Sequence, residues 1–412
     1  MNLGKKIPHT DLQIFRKRGE NLLPKAEEQQ SVSMPDIRLL QTDELKEAVQ
    51  LSDRIFRKSG RRSMVESFPQ VFSSSLRQSF GAFAEGKLVS FVGLVPSVVR
   101  IGSARLSVYS AGSVCTHPEY RGKGYAGAVL HCLLSHVDKA GASLLLVSGY
   151  GPLYRRMDCV RFGAVSRFTI DPDSAAVIAR KPEMANVRFR ELEPADWFSL
   201  ARLAGLREVC YEQSLWDIAN LIQARAMADC LKLHHKVWVA EREGRADAFV
   251  TVGVPDQPNP EQPALAIEWA GHPRLIAGTL AHVFRSEQIG RLDVPVPWYE
   301  TELLEALSPA QHQSEQNLGT VRIINPERLI SQLRPYLCEK DRRSGESLRV
   351  WQQPDGRIRI SCNGQDDVLD IRSFASLLFD PEPHDTGKPG FRSAVQKLFP
   401  VPFPYAGGLN YV

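Results

Sequence analysis

A chain of 412 residues exceeds the roughly 250 to 300 that one hydrophobic core usually serves, so two to four domains are expected. Its composition, 43% apolar and 24% charged, is that of a folded globular protein, and a net charge of +4 is too small and dispersed to point to nucleic acid. No apolar run reaches the roughly 20 residues that cross a bilayer. The seven cysteines are odd in number, scattered and without a CxxC pair, so neither a disulfide framework nor a metal site is indicated and a cytoplasmic setting fits.

In chain order, residues 1–34 carry basic and polar side chains but lack the apolar centre of a signal peptide, and are expected to be a mobile leader. A first unit spans 35–171. It begins with "DIRLLQTDELKEAVQLSDRIF", an alternating strand, an acidic turn and an amphipathic helix, followed by the hairpin "AFAEGKLVSFVGLVP". The β-rich "YSAGSVCT" runs into a loop at His117-Pro118. From there, apolar residues at Ala126, Val129, Leu130, Leu133, Leu134 and Val137 fall on one helical face.

Between strand and helix stands Arg121-Gly122-Lys123-Gly124-Tyr125-Ala126. The first turn of a helix has N–H groups without intrahelical partners and a partial positive charge. Glycines let an anion approach those groups, and the arginine and lysine add charge, a construction that suits a pyrophosphate. The P-loop pattern is absent, and the dinucleotide fingerprint is half present without its acidic residue. A turn in which glycine only relieves crowding is the plain alternative. The preceding strand, the arginine and the following helix favour the anion site.

A proline-punctuated linker, 172–185, leads to a second unit at 186–308. There "NVRFRELEPADWFSLARLAGL" and "WVAEREGRADAFVTVGVP" echo the first unit at an offset of 150 to 159 residues, which suggests an internal duplication. Where the glycine-rich turn should recur, the chain reads "EWAGHPRLIAGTL", without the arginine-to-glycine spacing. A third unit, 309–412, offers a strand and helix in "TVRIINPERLISQLRPYL", a hairpin about Pro354-Asp355-Gly356, and the helical "DVLDIRSFASLLFD". It ends in the proline- and aromatic-rich "LFPVPFPYAGGLNYV".

"V-x-T-H-P-E-Y" followed by R-x-x-G-x-A resembles the acetyl-CoA-binding motif of the GNAT acetyltransferases, and two such units before a smaller third resemble the Eis ("enhanced intracellular survival") subgroup. The resemblance implies an α/β fold of two tandem GNAT-like domains plus a smaller α+β sterol-carrier-like domain. It implies that Gly122, Gly124 and Gly127, with Arg121, Lys123, Tyr125 and Ala126, cradle the phosphates of acetyl-CoA. Val114, Cys115 and Thr116 would meet the pantetheine arm and thioester, with the Cys115 side chain turned into the core. Gly149 and Tyr150 would close the far side of the cleft. The second unit would serve as a structural wall without a cofactor site.

Acetyl transfer to an amine needs a neutral amine, a stabilised oxyanion and a proton for the departing thiolate. Tyr154 is the candidate acid, since a phenol (pKa ~10) can donate to a developing thiolate (~8.5), and in this family a tyrosine shortly before a Phe-Gly pair has that role. Phe162-Gly163 comes later than usual here, and Tyr150 is the rival. The Eis resemblance implies that the base is the chain's own terminal carboxylate, on Val412. A tail without trailing charges, with Gly407-Gly408 before it, agrees. His117 is expected in an exposed loop, His131 and His136 on the polar helix face, and His234-His235 away from the cofactor. The chain is therefore expected to be an acetyl-CoA-dependent N-acetyltransferase acting on a polyamine-like or aminoglycoside-like amine, without metal, as a homo-oligomer (a hexamer by resemblance). Acetylation of protein lysines or N-termini, and non-catalytic binding of an acyl-CoA or lipid, are the competing readings.

Overall fold

Chain reversals at glycine-containing turns lay the first strands side by side. In the computed structural model, which describes residues 35–58, 61–257, 262–383 and 387–412, β1 (Asp36–Leu39) precedes helix α1 (Leu45–Phe56) and the short α2 (Met64–Ser67). The expected leader lies outside the described residues. The β2 (Phe80–Ala84), β3 (Lys87–Ile101) and β4 (Ala104–Thr116) strands form an antiparallel meander, with Gly86 and Gly102 at positive φ in its turns. Helix α3 (Tyr125–Lys139) crosses over, and β5 (Leu144–Val147) pairs parallel to β4.

Two separate cores hold the faces of this sheet. On one, Val129, Leu130, Leu133 and Val137 of α3 pack on Val92, Leu94, Ala111 and Leu145. On the other, Ala48 and Leu51 of α1 meet Phe91, Val95 and Cys115, with Phe68 and Phe72. His136, expected on the polar face of α3, instead turns toward the sheet: its Nε2 lies 2.8 Å from Gln78 Oε1, and its ring stands edge-on to Phe80 and Tyr109. The half-apolar imidazole tolerates that site because Gln78 satisfies one nitrogen.

After the short α4 (Pro152–Arg155), β6 (Ala164–Ile170) leaves for a second sheet, followed by α5 (Pro172–Ala179) and β7 (Arg188–Glu191). Helix α6 (Trp197–Gly205), β8 (Val209–Tyr211), α7 (Leu215–Ala224) and α8 (Ala226–Leu231) come next; β8 returns to pair with β3. Strands β9 (His234–Arg242), β10 (Arg245–Val254) and β11 (Ala264–Gly271), helix α9 (Pro273–Ser286) and β12 (Leu292–Pro297) complete the second unit. The run β7-β9-β10-β11-β12 repeats the order and sense of β1-β2-β3-β4-β5, down to the final parallel pair. The echo in sequence is thus an echo in topology.

Strand pairing crosses the expected unit boundaries. β6, from the end of the first unit, lies between β12 and β13 (Gln311–Gln316). Arg167 fixes that register, with Nε 2.8 Å from Glu315 Oε2 on one side and Nη1 3.9 Å from Asp293 on the other. β14 (Thr320–Ile323) crosses back to extend the first sheet beside β5. Helices α10 (Thr301–Ala306), α11 (Pro326–Lys340) and α12 (Arg342–Ser347) precede a small sheet of β15 (Arg349–Gln352), β16 (Ile358–Cys362) and β17 (Gln365–Leu369). The segment read as wholly helical therefore opens with a strand, β17, before α13 (Ile371–Phe379); α14 (Pro389–Val395) leads to the tail.

That tail joins three cores. Val401 and Phe403 pack with Phe162, Leu333 and Phe379, Leu409 packs with Leu203, Ile218 and Phe249, and Tyr411 and Val412 reach the core behind β4. Residues Pro35–Val412 form one compact unit.

Candidate active site

Strand β4 carries a bulge in its last third. Its register with β3 jumps from Gly93↔Gly112 to Phe91↔Cys115, so Val92 alone faces Ser113 and Val114, and Ser113 takes φ +51°. On the other flank, β4 pairs with β5 only as far as Ala111↔Val147. Beyond that point the two parallel strands part, leaving the flank of β4 from Gly112 to Thr116 without a ladder partner on the β5 side. The sheet therefore opens a wedge at the carboxyl ends of its two parallel strands.

The glycine-rich turn stands over this wedge. Gly122 and Gly124 take φ of +75° and +84°, and a Cβ placed at Gly122, Gly124 or Gly127 would meet no atom within 4 Å. The turn is strained for other residues and open to the outside. Helical bonding starts with the Ala128 N–H donating to the Gly124 carbonyl at 3.0 Å, so the N–H groups of Tyr125, Ala126 and Gly127 precede the ladder. Arg121 Nε donates to the Thr116 carbonyl at 3.3 Å, pinning the turn to the strand end, and Lys123 Nζ lies 4.9 Å from the centre of the Tyr120 ring. His117, half-buried, contacts Arg54 through Nε2 at 2.7 Å.

Cys115 is buried, its Sγ 3.8 Å from Ser52 Oγ on the α1 face, and burial pushes its thiol up to about 11. Only its backbone can take part in the wedge. Tyr150 is partly exposed, its ring under the guanidinium groups of Arg161 (4.5 Å) and Arg155 (5.7 Å). Tyr154, on α4, lies with its ring over Gly149, whose Cβ would stand 2.7 Å from Cε2. Burial first, then electrostatic contact with Cys159 and Tyr411, raises its hydroxyl pKa above the ordinary phenol value.

The C-terminus arrives from the opposite face. A Cβ at Gly112 would stand 2.6 Å from both the carboxyl carbon and Cγ1 of Val412. The terminal carboxylate thus lies against the first β4 residue beyond the last β4–β5 pair, while Tyr154 lies against Gly149, just past the end of β5. The two candidate proton-handling groups thus stand at the two strands that part, Tyr154 packed on the α3-side core and Val412 on the α1-side core.

Beyond the terminus opens a cleft of about 560 Å³, lined by Tyr109, Glu212, Asp217, Tyr411 and Val412 among others. Glu212 accepts from Arg105 Nε at 2.6 Å, and Asp217 caps α7 by accepting from Ser214. Both acids come from the second unit. Sequence reading missed them, and missed Gly112, although a glycine inside a strand signals a close approach of backbone.

These features coincide with a sequence match: residues 36–161 match the family described as Acetyltransferase (GNAT) domain. The first unit is a GNAT acetyltransferase domain. Among solved structures, Eis1 from Mycobacterium abscessus is similar over 90% of this chain and 99% of its own, at 15% identity and a TM-score of 0.63. A GCN5-related N-acetyltransferase from Anabaena variabilis aligns over 83% of this chain and 89% of its own, at 13% identity and a TM-score of 0.58. Another from Kribbella flavida aligns over 82% and 84%, at 14% identity and a TM-score of 0.56. At these identities the likeness is one of fold. Among curated proteins, no sequence matches the chain.

In the second sheet the turn before the helix is built differently. Pro273 stands at the first position of α9, and a Cβ at Gly271, at φ +116°, would strike the Asp247 carbonyl. The turn there is packed shut. Among the described residues, no helix is long and apolar enough to cross a membrane.

Proposed function

We propose that the chain transfers the acetyl group of acetyl-CoA to a primary amine on a small cationic molecule of the polyamine or aminoglycoside kind. The diphosphate would sit on the N–H groups that open α3, beside Arg121 and Lys123. The pantetheine arm would enter the wedge between β4 and β5, with the thioester near Val114 and Thr116. An amine from the cleft would attack the thioester carbonyl directly. Backbone N–H groups of the bulged β4 flank would receive the developing oxyanion. As the C–S bond breaks, the Tyr154 hydroxyl would give its proton to the sulfur, leaving free CoA. The Val412 carboxylate would take, directly or through water, the proton that the ammonium sheds before attack. The second proton, shed by the nitrogen after attack, would return through water to the Tyr154 phenolate.

The single observation that carries this reading is the seat of Val412 against Gly112, because it puts an anion where the wedge meets a cleft lined by Glu212 and Asp217. A protonated amine is drawn there, and its proton has an acceptor. Burial keeps the Tyr154 hydroxyl protonated at neutral pH, the state a general acid needs. The tandem domain arrangement, a sterol-carrier-like third domain, cytoplasmic location and homo-oligomeric state belong to the same reading.

The test is thiol release from acetyl-CoA with and without a panel of polyamines and aminoglycosides. Release that depends on the amine, with the acetylated amine as product, is expected. Release indifferent to every amine, or transfer only to protein lysines, would overturn the substrate assignment.

A further inference from the structure

In the second sheet β11 and β12 pair only at Ala264↔Leu292 and Leu265↔Asp293, so the β12-side flank of β11 has no ladder partner through Ile267, Glu268 and Trp269, while β10 stays paired on the other side. This is the counterpart of the β4–β5 wedge. The chain's own tail reaches this flank: Gly408 lies against Glu268 and the Ile267 carbonyl, the Leu409 N–H donates to Glu268, and Pro404 and Tyr405 line the same pocket as Ile267, Glu268 and Trp269. A Cβ at Gly408 would stand 2.6 Å from Glu268 Oε2 and 3.4 Å from the Ile267 carbonyl, so a larger residue there would have to displace the Glu268 carboxylate.

Glu268 joins that tail to a buried charge network. Its Oε2 accepts from the Leu409 N–H at 3.3 Å, and its Oε1 accepts from Arg207 Nη1. Arg207 Nη2 reaches Glu300 Oε1 at 3.3 Å, and Trp269 Nε1 donates to Glu300 Oε2 at 2.8 Å. The side chains of Arg207, Glu268 and Glu300 keep only 20%, 18% and 18% of their exposure, so Glu268 has little freedom to swing. Upstream, Asn317 holds the same tail twice, donating to the Pro404 carbonyl at 3.0 Å and accepting from the Ala406 N–H at 2.9 Å. Downstream of Leu409, the Tyr411 N–H donates to the Gly408 carbonyl at 3.1 Å, and Gln213 holds the Asn410 side chain. Three residues separate the Glu268 contact from the terminal carboxylate.

We infer that the second unit's wedge is a socket for the C-terminal tail, and that Glu268, braced by Arg207, is the positioning residue that sets Val412 at the β4 wedge. This deepens the proposed function and rests on Val412 acting there. A group that must meet a reacting amine at hydrogen-bond distance loses rate steeply when displaced by an ångström.

The experiment compares the full chain with Glu268→Gln, with Glu268→Asp, and with a chain extended by one glycine after Val412. Asp keeps the charge that Arg207 needs but is one methylene shorter, so it guards against loss of folding in the Gln variant. Each protein is scored for kcat, for KM of acetyl-CoA, and for the rate at which carboxypeptidase frees the terminal valine well below its melting temperature. In both Glu268 variants kcat is expected to fall roughly tenfold or more with KM for acetyl-CoA unchanged, and valine release is expected to quicken. In a chain lacking Val412, Glu268→Asp is expected to lower kcat no further. Unchanged valine release and kcat in Glu268→Asp would overturn the socket. A glycine-extended chain with full turnover would instead overturn the role of Val412, while the valine release would still judge the socket separately.

Discussion

Gly112 and Tyr154 are the two residues at which the proposed chemistry is most exposed to a single substitution. A methyl group at position 112 would stand 2.6 Å from the carboxyl carbon of Val412, and both partners are backbone. Gly112→Ala is therefore expected to push the terminus out of the wedge, lowering kcat roughly tenfold or more while acetyl-CoA still binds. Steady-state kinetics beside a binding isotherm check this; unchanged turnover would contradict it. Tyr154→Phe removes the proton donor and keeps the ring over Gly149, so kcat is expected to fall about a hundredfold or more. Because burial raises the Tyr154 pKa, its proton is lost only as pH rises past the ordinary phenol value of ~10. The alkaline fall of kcat in the wild type is expected above that pH and is expected to be absent from the Phe variant.

At the scale of elements, the strand–turn–helix from β4 to α3 does its work through glycines. Gly124 sits at φ +84°, where an L side chain costs on the order of 1–2 kcal/mol, and its missing Cβ faces open space. Gly124→Ala is expected to relax the turn and raise KM for acetyl-CoA with little change in melting temperature; an unchanged KM would contradict the phosphate cradle. This element was legible in the sequence because all its signals are local: alternation in "YSAGSVCT", a glycine pair, and a helical period from Ala126 to Val137. The internal repeat was legible for the same reason, since β1–α1 and β7–α6 each carry their own pattern. The destinations of β6, β14 and the tail were not. Their partners lie far along the chain: Arg167 finds Glu315, and Leu409 finds Glu268, 141 residues away in sequence. The strand β17 was hidden by "GQDDVLD", whose carboxylates suppress a strand reading until β16 supplies a partner.

Across the whole molecule, contacts between the first and second units carry charge into poorly solvated places. Arg62, from the segment after α1, donates to the Ala224 carbonyl at 3.0 Å and to Asp229 at 3.1 Å. His235 is nearby: burial, then Arg225 and Arg62, lower its imidazole to about 4, and neither ring nitrogen has a hydrogen-bond partner. An unfolded histidine titrates near ~6.5. Between pH 6.5 and 4 the unfolded chain therefore binds a proton that the folded chain does not, and stability falls as pH drops through that window, by about 2–3 kcal/mol at most. His235→Leu is expected to flatten this part of the stability–pH curve, as read by thermal melting; parallel curves for variant and wild type would contradict the assignment.

The most direct measurement is a crystal structure of the full chain with coenzyme A. The diphosphate is expected within hydrogen-bond distance of the N–H groups from Gly122 to Gly127, with the pantetheine arm lying between β4 and β5 and its sulfur facing Tyr154. Coenzyme A bound anywhere else, or no binding at concentrations that saturate turnover, would contradict the catalytic reading of the first unit.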